Sequence, residues 1–277
     1  GLSLGSGLIW EASKKIEEEG KALLDLHEAK SLFLEFLYHP SDPKILRLAL
    51  ELGLITLFIP EFKKIRNLAQ FTYYHSETVD LHCLKTLEII HDVSRGVYGD
   101  RWPLFKQVYG ELKNPEWLFL VGLLHDIGKG YRGEHSARGA EIIPRILKRL
   151  GVDRDTIQVI PFLIQHHLLL ANISQRRDLN DEKTAVQVAQ VVGDLERLKL
   201  LFLLTVADSF ATGPIASSDW RIMLLIELFF KVRRILQSGT LASPDATRRV
   251  EENKIALSRY LAGAFSGKEI AVLMDQV

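Results

Sequence analysis

The chain has 277 residues, in which 35 lysines and arginines balance 35 aspartates and glutamates. It is long enough to bury a sizeable apolar core but carries no net field to gather nucleic acid or anionic lipid, so any phosphate chemistry has to be local. The single cysteine, Cys83, excludes an internal disulfide framework and fits a reducing compartment, so we expect a cytoplasmic protein that binds neither nucleic acid nor membrane.

From the N-terminus, the opening GLSLGSGLIW lacks the basic region, apolar run and cleavage site of a secretory signal. Residues 1–60 read as a helical lead-in without clustered chemistry. Within it, SDPKILRLALELG has Ser41 or Asp42 as N-cap, Pro43 in the first turn, an apolar stripe and Gly53 as the stop. Residues 61–240 are expected to form the functional domain and 241–277 a more polar C-terminal helical extension.

In TVDLHCLKTLEII the apolar residues Val79, Cys83, Leu84 and Leu87 fall at helical spacing around His82. NPEWLFLVGLLHDIG repeats the earlier grammar with Asn114 and Pro115 at the start and Gly128 at the stop. GEHSARGAEIIPRILKRLG is an amphipathic helix in which Pro144 either kinks the backbone or opens a new first turn. The run Leu198 to Ala211 is a buried helix, too short to span a bilayer. No strand-like alternation and no tandem repeat is present, so the fold class is all-α.

Six of the nine histidines, with two aspartates, form an ordered series: His75, His82, His125-Asp126, His135, His166-His167 and Asp208. Imidazole and carboxylate together suit Zn, Mn or Fe, and one cysteine excludes a thiolate site. Each residue also has a plainer reading. His82 could be a core histidine, His125 a helix-dipole partner and His135 part of a helix start. The aspartates resist such readings: Asp126 follows an apolar helix at its negative end, and Asp208 interrupts a buried run at a cost on the order of several kcal/mol unless paired. A catalytic metal is the simplest common cause.

The series H…HD…D over His82, His125-Asp126 and Asp208 resembles the HD superfamily of metal-dependent phosphohydrolases, with His135 and His166-His167 similar to the further ligands of its two-metal members. YHSETVDLHCL, LLHDIGKGYRGEHSARGA, QHHLLLANISQRRDLND, LLTVADSFATGP and WRIMLLIELFF are similar, in that order, to the central HD domain of the bacterial PII uridylyltransferase/uridylyl-removing enzymes. The likeness covers roughly residues 30 to 240 and departs from the usual family pattern at Glu77, Cys83 and Phe210. No Gly-Ser…Asp-x-Asp nucleotidyltransferase signature is present, so the chain is expected not to transfer uridylyl groups itself.

The resemblance implies an HD-domain helical bundle with flanking helices and two divalent ions (Mn, Fe, Zn or Mg) sharing Asp126, which lower the pKa of a water between them. His82, His125 and Asp208 would complete one ion; His135, His166 and His167 the other. Adjacent helical residues point about 100° apart, so both members of the doublet bind only if the helix ends or distorts there. Lys129 would touch a phosphate oxygen or simply be a solvated lysine at a helix end; Arg176 and Arg177, and less so Arg132 and Arg138, suit phosphate or could pair with nearby aspartates. His75 would face the substrate or support a ligand. The implied reaction is hydrolysis of a uridylyl-tyrosine on a PII-type signal protein, releasing UMP. Its phenolate leaving group, with a pKa of about 10, asks little of a general acid. The alternatives are an HD hydrolase of free nucleotides and a noncatalytic module that the metal holds together.

Overall fold

The computed structural model describes residues 6–40, 42–69 and 77–238. His75 and the 241–277 extension lie outside the described residues. Within them every regular element is helical, and the sole pairing of extended backbone is an isolated bridge between Ala69 and Thr78. The all-α expectation holds.

The chain runs α1 (Ser6–Glu19), α2 (His27–Tyr38), α3 (Ile45–Glu51) and α4 (Leu54–Phe58), then α5 (Val79–Arg95), α6 (Pro103–Gly110) and α7 (Glu116–Leu124). After these come α8 (His135–Leu150), α9 (Arg154–Gln165), α10 (Leu169–Arg176), α11 (Glu182–Val192), α12 (Leu195–Thr212) and α13 (Asp219–Ser238). Short 3₁₀ turns occupy Gly20–Asp25, Pro60–Lys64 and Ile127–Gly130.

Three helices make the centre. The residues of α7 from Trp117 to Leu124 are all buried, and α5 packs against both α7 and α12. Gly122 permits the α5–α7 approach, since a Cβ there would lie 2.4 Å from Ile90 Cδ1. Helix α12 buries Leu198, Leu200, Leu201, Phe202, Leu203 and Leu204, and the Phe202 ring stacks on Phe229 of α13. Each fully buried leucine or phenylalanine stabilises this centre by roughly 1.5–3 kcal/mol. Phe33 and Leu37 of α2, Leu46 and Leu50 of α3 and Ile55 of α4 join the same core.

Helix boundaries follow local chemistry. Helix α3 begins at Ile45, later than the Ser-Asp-Pro pattern suggests: Asp42 Oδ1 accepts the Lys44 N–H at 3.0 Å and closes a turn, leaving the helix start without a side-chain cap. Gly53 is the stop, at φ +83°. Helix α8 runs unbroken through Pro144 and ends at Gly151, φ +77°. The Asp153, Asp181 and Asp194 carboxylates cap α9, α11 and α12.

The stretch Arg154–Arg176 is, by length and composition alone, apolar enough to cross a membrane. Its backbone nevertheless breaks at His166, where φ −107° and ψ 12° end α9 before α10 resumes at Leu169. The break has a consequence at the site.

Candidate metal centre

Five segments bring their polar groups together at one end of the central helices. His82 lies in the first half of α5, His125 and Asp126 follow the last residue of α7, and Asp208 lies near the end of α12. His135 opens α8, and His167 follows the break after α9. His82, His125, Asp126 and His167 are buried, while the Asp208 side chain is 20% exposed.

Helix α7 ends at Leu124, four residues short of the Gly128 stop expected from its pattern. His125 keeps helical dihedrals and Asp126 leaves them, at φ −102° and ψ 7°, so the carboxylate turns toward the other elements. The glycine serves a different purpose. A Cβ on Gly128 would lie 1.9 Å from the His135 carbonyl and 2.6 Å from the Gly139 nitrogen. Only glycine lets the start of α8 cross this turn closely enough to deliver His135. The Glu134 carboxylate caps that start, accepting from the Ser136 N–H at 3.1 Å and the Ala137 N–H at 2.7 Å.

Two imidazoles are oriented by one device. His125 Nδ1–H donates to the Gly122 carbonyl at 2.9 Å, and His167 Nδ1–H to the Ile164 carbonyl at 2.6 Å. A carbonyl can only accept, so Nδ1 carries the proton and Nε2 presents its lone pair to the centre. His125 Nε2 lies 3.3 Å from His82 Nε2, which lies 2.9 Å from Asp208 Oδ1.

Asp126 divides its oxygens between two groups. Oδ2 is 3.4 Å from His125 Nε2 and 3.8 Å from His82 Nε2; Oδ1 is 3.5 Å from His135 Nε2 and 3.7 Å from His167 Nε2. The sets His82, His125, Asp126 and Asp126, His135, His167 each place their ligand atoms within 4.8 Å of one another. Asp126 Oδ1 is buried and accepts no hydrogen bond, a costly state for a carboxylate oxygen unless a cation meets it. This donor set, all nitrogen and oxygen with one shared carboxylate, fits divalent metal.

Charge follows the same division. Burial would raise the Asp126 carboxyl, yet His125, Lys129 and His167 outweigh it and hold it well below the usual range. Asp208 is likewise held far down, its bond to His82 and the nearness of His125 overcoming burial. Burial lowers His135, and pushes His167 down to about 4, so His167 is neutral and ready to bind near pH 7. For His125, burial is outweighed by Asp126 and Asp208 and the ring is raised.

Other predicted residues lie farther out. The His166 ring, half-buried, packs on Phe162 with centroids 4.6 Å apart, and the structure does not bring it into either set. Lys129 Nζ lies 2.5 Å from Asp126 Oδ2, so it enters the centre as a partner of the shared carboxylate. Arg176 and Arg177, at the end of α10, are exposed and do not line the cavity over the centre. Arg132 is also exposed, and Arg138 pairs with Glu141 and with the Arg132 carbonyl.

That cavity, about 640 Å³, has Asp126, Lys129, His135, His167 and Asp208 on its floor and sides. Its remaining wall includes Leu68, Tyr131 and Leu168, which the sequence reading did not single out. Two of the departures from the resembled pattern are packed into the structure, while Glu77 keeps one buried carboxylate oxygen without a hydrogen bond. Cys83 is buried, its thiol pushed up first by burial and then by Asp126, and the Phe210 ring packs against Tyr98 and Phe105.

The HD domain family matches residues 72–213. The chain is 36% identical, over 253 residues, to the bifunctional uridylyltransferase/uridylyl-removing enzyme of Phenylobacterium zucineum, covering 91% of this chain and 26% of that protein. It is 37% identical over 236 residues to the enzyme of that name from Azospirillum brasilense and 35% identical over 236 residues to that from Rhodospirillum rubrum, each time covering 85% of this chain and 25% of the relative. The chain thus spans about a quarter of the length of these relatives.

Proposed function

This chain belongs to the HD-domain family and is a metal-dependent phosphohydrolase, and from that premise we propose that it hydrolyses the phosphodiester of a uridylylated tyrosine on a PII-type signal protein, releasing UMP. The observation that carries this reading is the division of the Asp126 carboxylate between two ligand sets at the base of a cavity large enough for a nucleotide. The similarity to uridylyl-removing enzymes along most of the chain supports the choice of ester.

His82, His125, Asp126 and Asp208 would hold one ion, and Asp126, His135 and His167 a second. Divalent ions held there would supply positive charge to phosphoryl oxygens and acidify a water near neutral pH. The protein's own groups do the rest. The main-chain carbonyls of Gly122 and Ile164 aim Nε2 of His125 and of His167 at the centre, and His167, pushed down to about 4, has no proton to lose there near pH 7. Lys129 Nζ, beside Asp126 Oδ2 on the cavity wall, is placed to donate to a phosphoryl oxygen. A phenol leaves readily as phenolate, so a water at the cavity mouth suffices as the final proton donor.

The test is UMP release from a uridylylated PII-type protein, followed chromatographically with Mn²⁺ and again after exhaustive chelation. We expect metal-dependent release. Hydrolysis of free nucleotides with none from the protein ester would replace this substrate by the free-nucleotide reading, and bound metal without turnover on any phosphoester would leave a noncatalytic module.

A further inference from the structure

The metal centre accounts for the polar side of the cavity and leaves its other wall without a role. Tyr131 stands on that wall with Leu68 and Leu168. Its position is set by the backbone. After the 3₁₀ turn Tyr131 is extended, at φ −130° and ψ 161°, and its N–H donates to the Gly128 carbonyl at 3.0 Å. Gly130 packs against the Lys64 backbone, where a Cβ would come within 3.1 Å of the carbonyl carbon and oxygen, and Gly133 turns the chain away at φ +107°. Lys64 Nζ lies 4.0 Å from the Tyr131 ring centroid, over one face. What the residue offers the cavity is therefore the opposite face, the ring edge or the hydroxyl.

An aromatic side chain and two aliphatic ones lining the same cavity as a phosphoryl-binding centre are the chemistry that recognises a planar ring attached to a phosphate. Of the two rings on a uridylyl-tyrosine ester, the phenol is tethered to a protein and enters from outside. The nucleotide is free to lie wholly inside. We propose that Tyr131 is a specificity-determining residue that stacks on the pyrimidine base, with Leu68 and Leu168 closing the base subsite. Lys64 holds the ring in place from behind. This rests on the reading of the substrate as a uridylyl ester, but it concerns recognition of the nucleotide and not of the protein that carries it.

Binding without turnover tests it. Equilibrium dialysis of the Mn²⁺-loaded chain with UMP and with ribose 5-phosphate separates the contribution of the base from that of the phosphate. UMP should bind about ten-fold more tightly, the scale of one base–aromatic stack. Tyr131→Ala should bring the two ligands to parity while leaving ribose 5-phosphate affinity unchanged, which also shows that the variant is folded and loaded. Tyr131→Phe should keep the preference. A wild-type chain with no preference for UMP, a Tyr131→Ala variant that keeps the preference, or one that weakens both ligands equally overturns the proposal. Failure to hydrolyse a uridylylated protein alongside a Tyr131-dependent UMP preference would remove the protein substrate and leave the base subsite standing.

Discussion

The two halves of the centre are built differently. His82 and Asp208 are interior residues of α5 and α12, long helices that pack on each other for apolar reasons, and they meet at 2.9 Å. His135 and His167 come from a helix start and a helix break. The first half inherits its geometry from the core. The second depends on three local devices: the Glu134 cap, the missing Cβ of Gly128 and the dihedrals of His166. Asp126 joins the halves, one oxygen to each.

The largest expected effect is therefore from Asp126→Ala, which removes a ligand from both halves at once. Hydrolysis should fall by at least about three orders of magnitude even with excess Mn²⁺, and metal content should drop, while circular dichroism stays helical. A variant keeping half its metal-dependent rate would break the idea of a shared carboxylate.

Next comes the doublet, which sharpens the contrast between the halves. His167→Ala should cost at least about a hundred-fold in rate, because its Nε2 faces Asp126. His166→Ala should stay within about three-fold, as expected for a half-exposed residue away from the centre. Equal losses in the two would mean that the break after α9 does not select between them.

A third measurement looks outside both halves. His91, on α5, stacks on Phe119, and its Nε2 lies 3.2 Å from the Leu37 carbonyl. Burial pushes its pKa down from 6.5 to about 4. Folded protein therefore keeps it neutral where unfolded chain takes up a proton, so this part of the stability is present above pH 6.5 and is lost as pH falls toward 4. In chelator, the melting temperature should fall by roughly 5 °C more for wild type than for His91→Gln between about pH 6.5 and pH 5. Identical slopes would place the acid sensitivity in the centre itself.

The smallest effect is expected from Arg176→Ala and Arg177→Ala. On a small synthetic phosphodiester the KM should move less than about two-fold, with metal content unchanged; on a protein-borne ester it should rise a few-fold. A large change on the small ester would mean that α10 reaches the cavity.

The same division explains what could be read from the sequence. The helical period alone carried the fold class. Asp208 stood out because it interrupts an apolar run, and a broken pattern is visible in one dimension; His82 was legible only as a member of the ordered series. The outer half was visible as residue types but not as geometry. That His167 turns inward while His166 does not depends on where α9 stops, and a helix end is decided by neighbours in space as much as by its own residues. Gly128 looked like a stop signal and proved to be a point of close crossing. Tyr131 carried no pattern at all, because its wall is assembled from three separate segments.

The carbonyls that hold His125 and His167 have a consequence for how such a protein can change. The choice of which ring nitrogen carries the proton is made by the main chain three residues earlier, and a main-chain carbonyl is present whatever side chain stands there. The side chain at Ile164 can therefore be exchanged without reversing the His167 ring, and at Gly122, where no Cβ fits against Ile90, the backbone alone makes the choice. Novelty can accumulate on the cavity wall, altering which ester is accepted, while the reactive end of the site is transmitted intact.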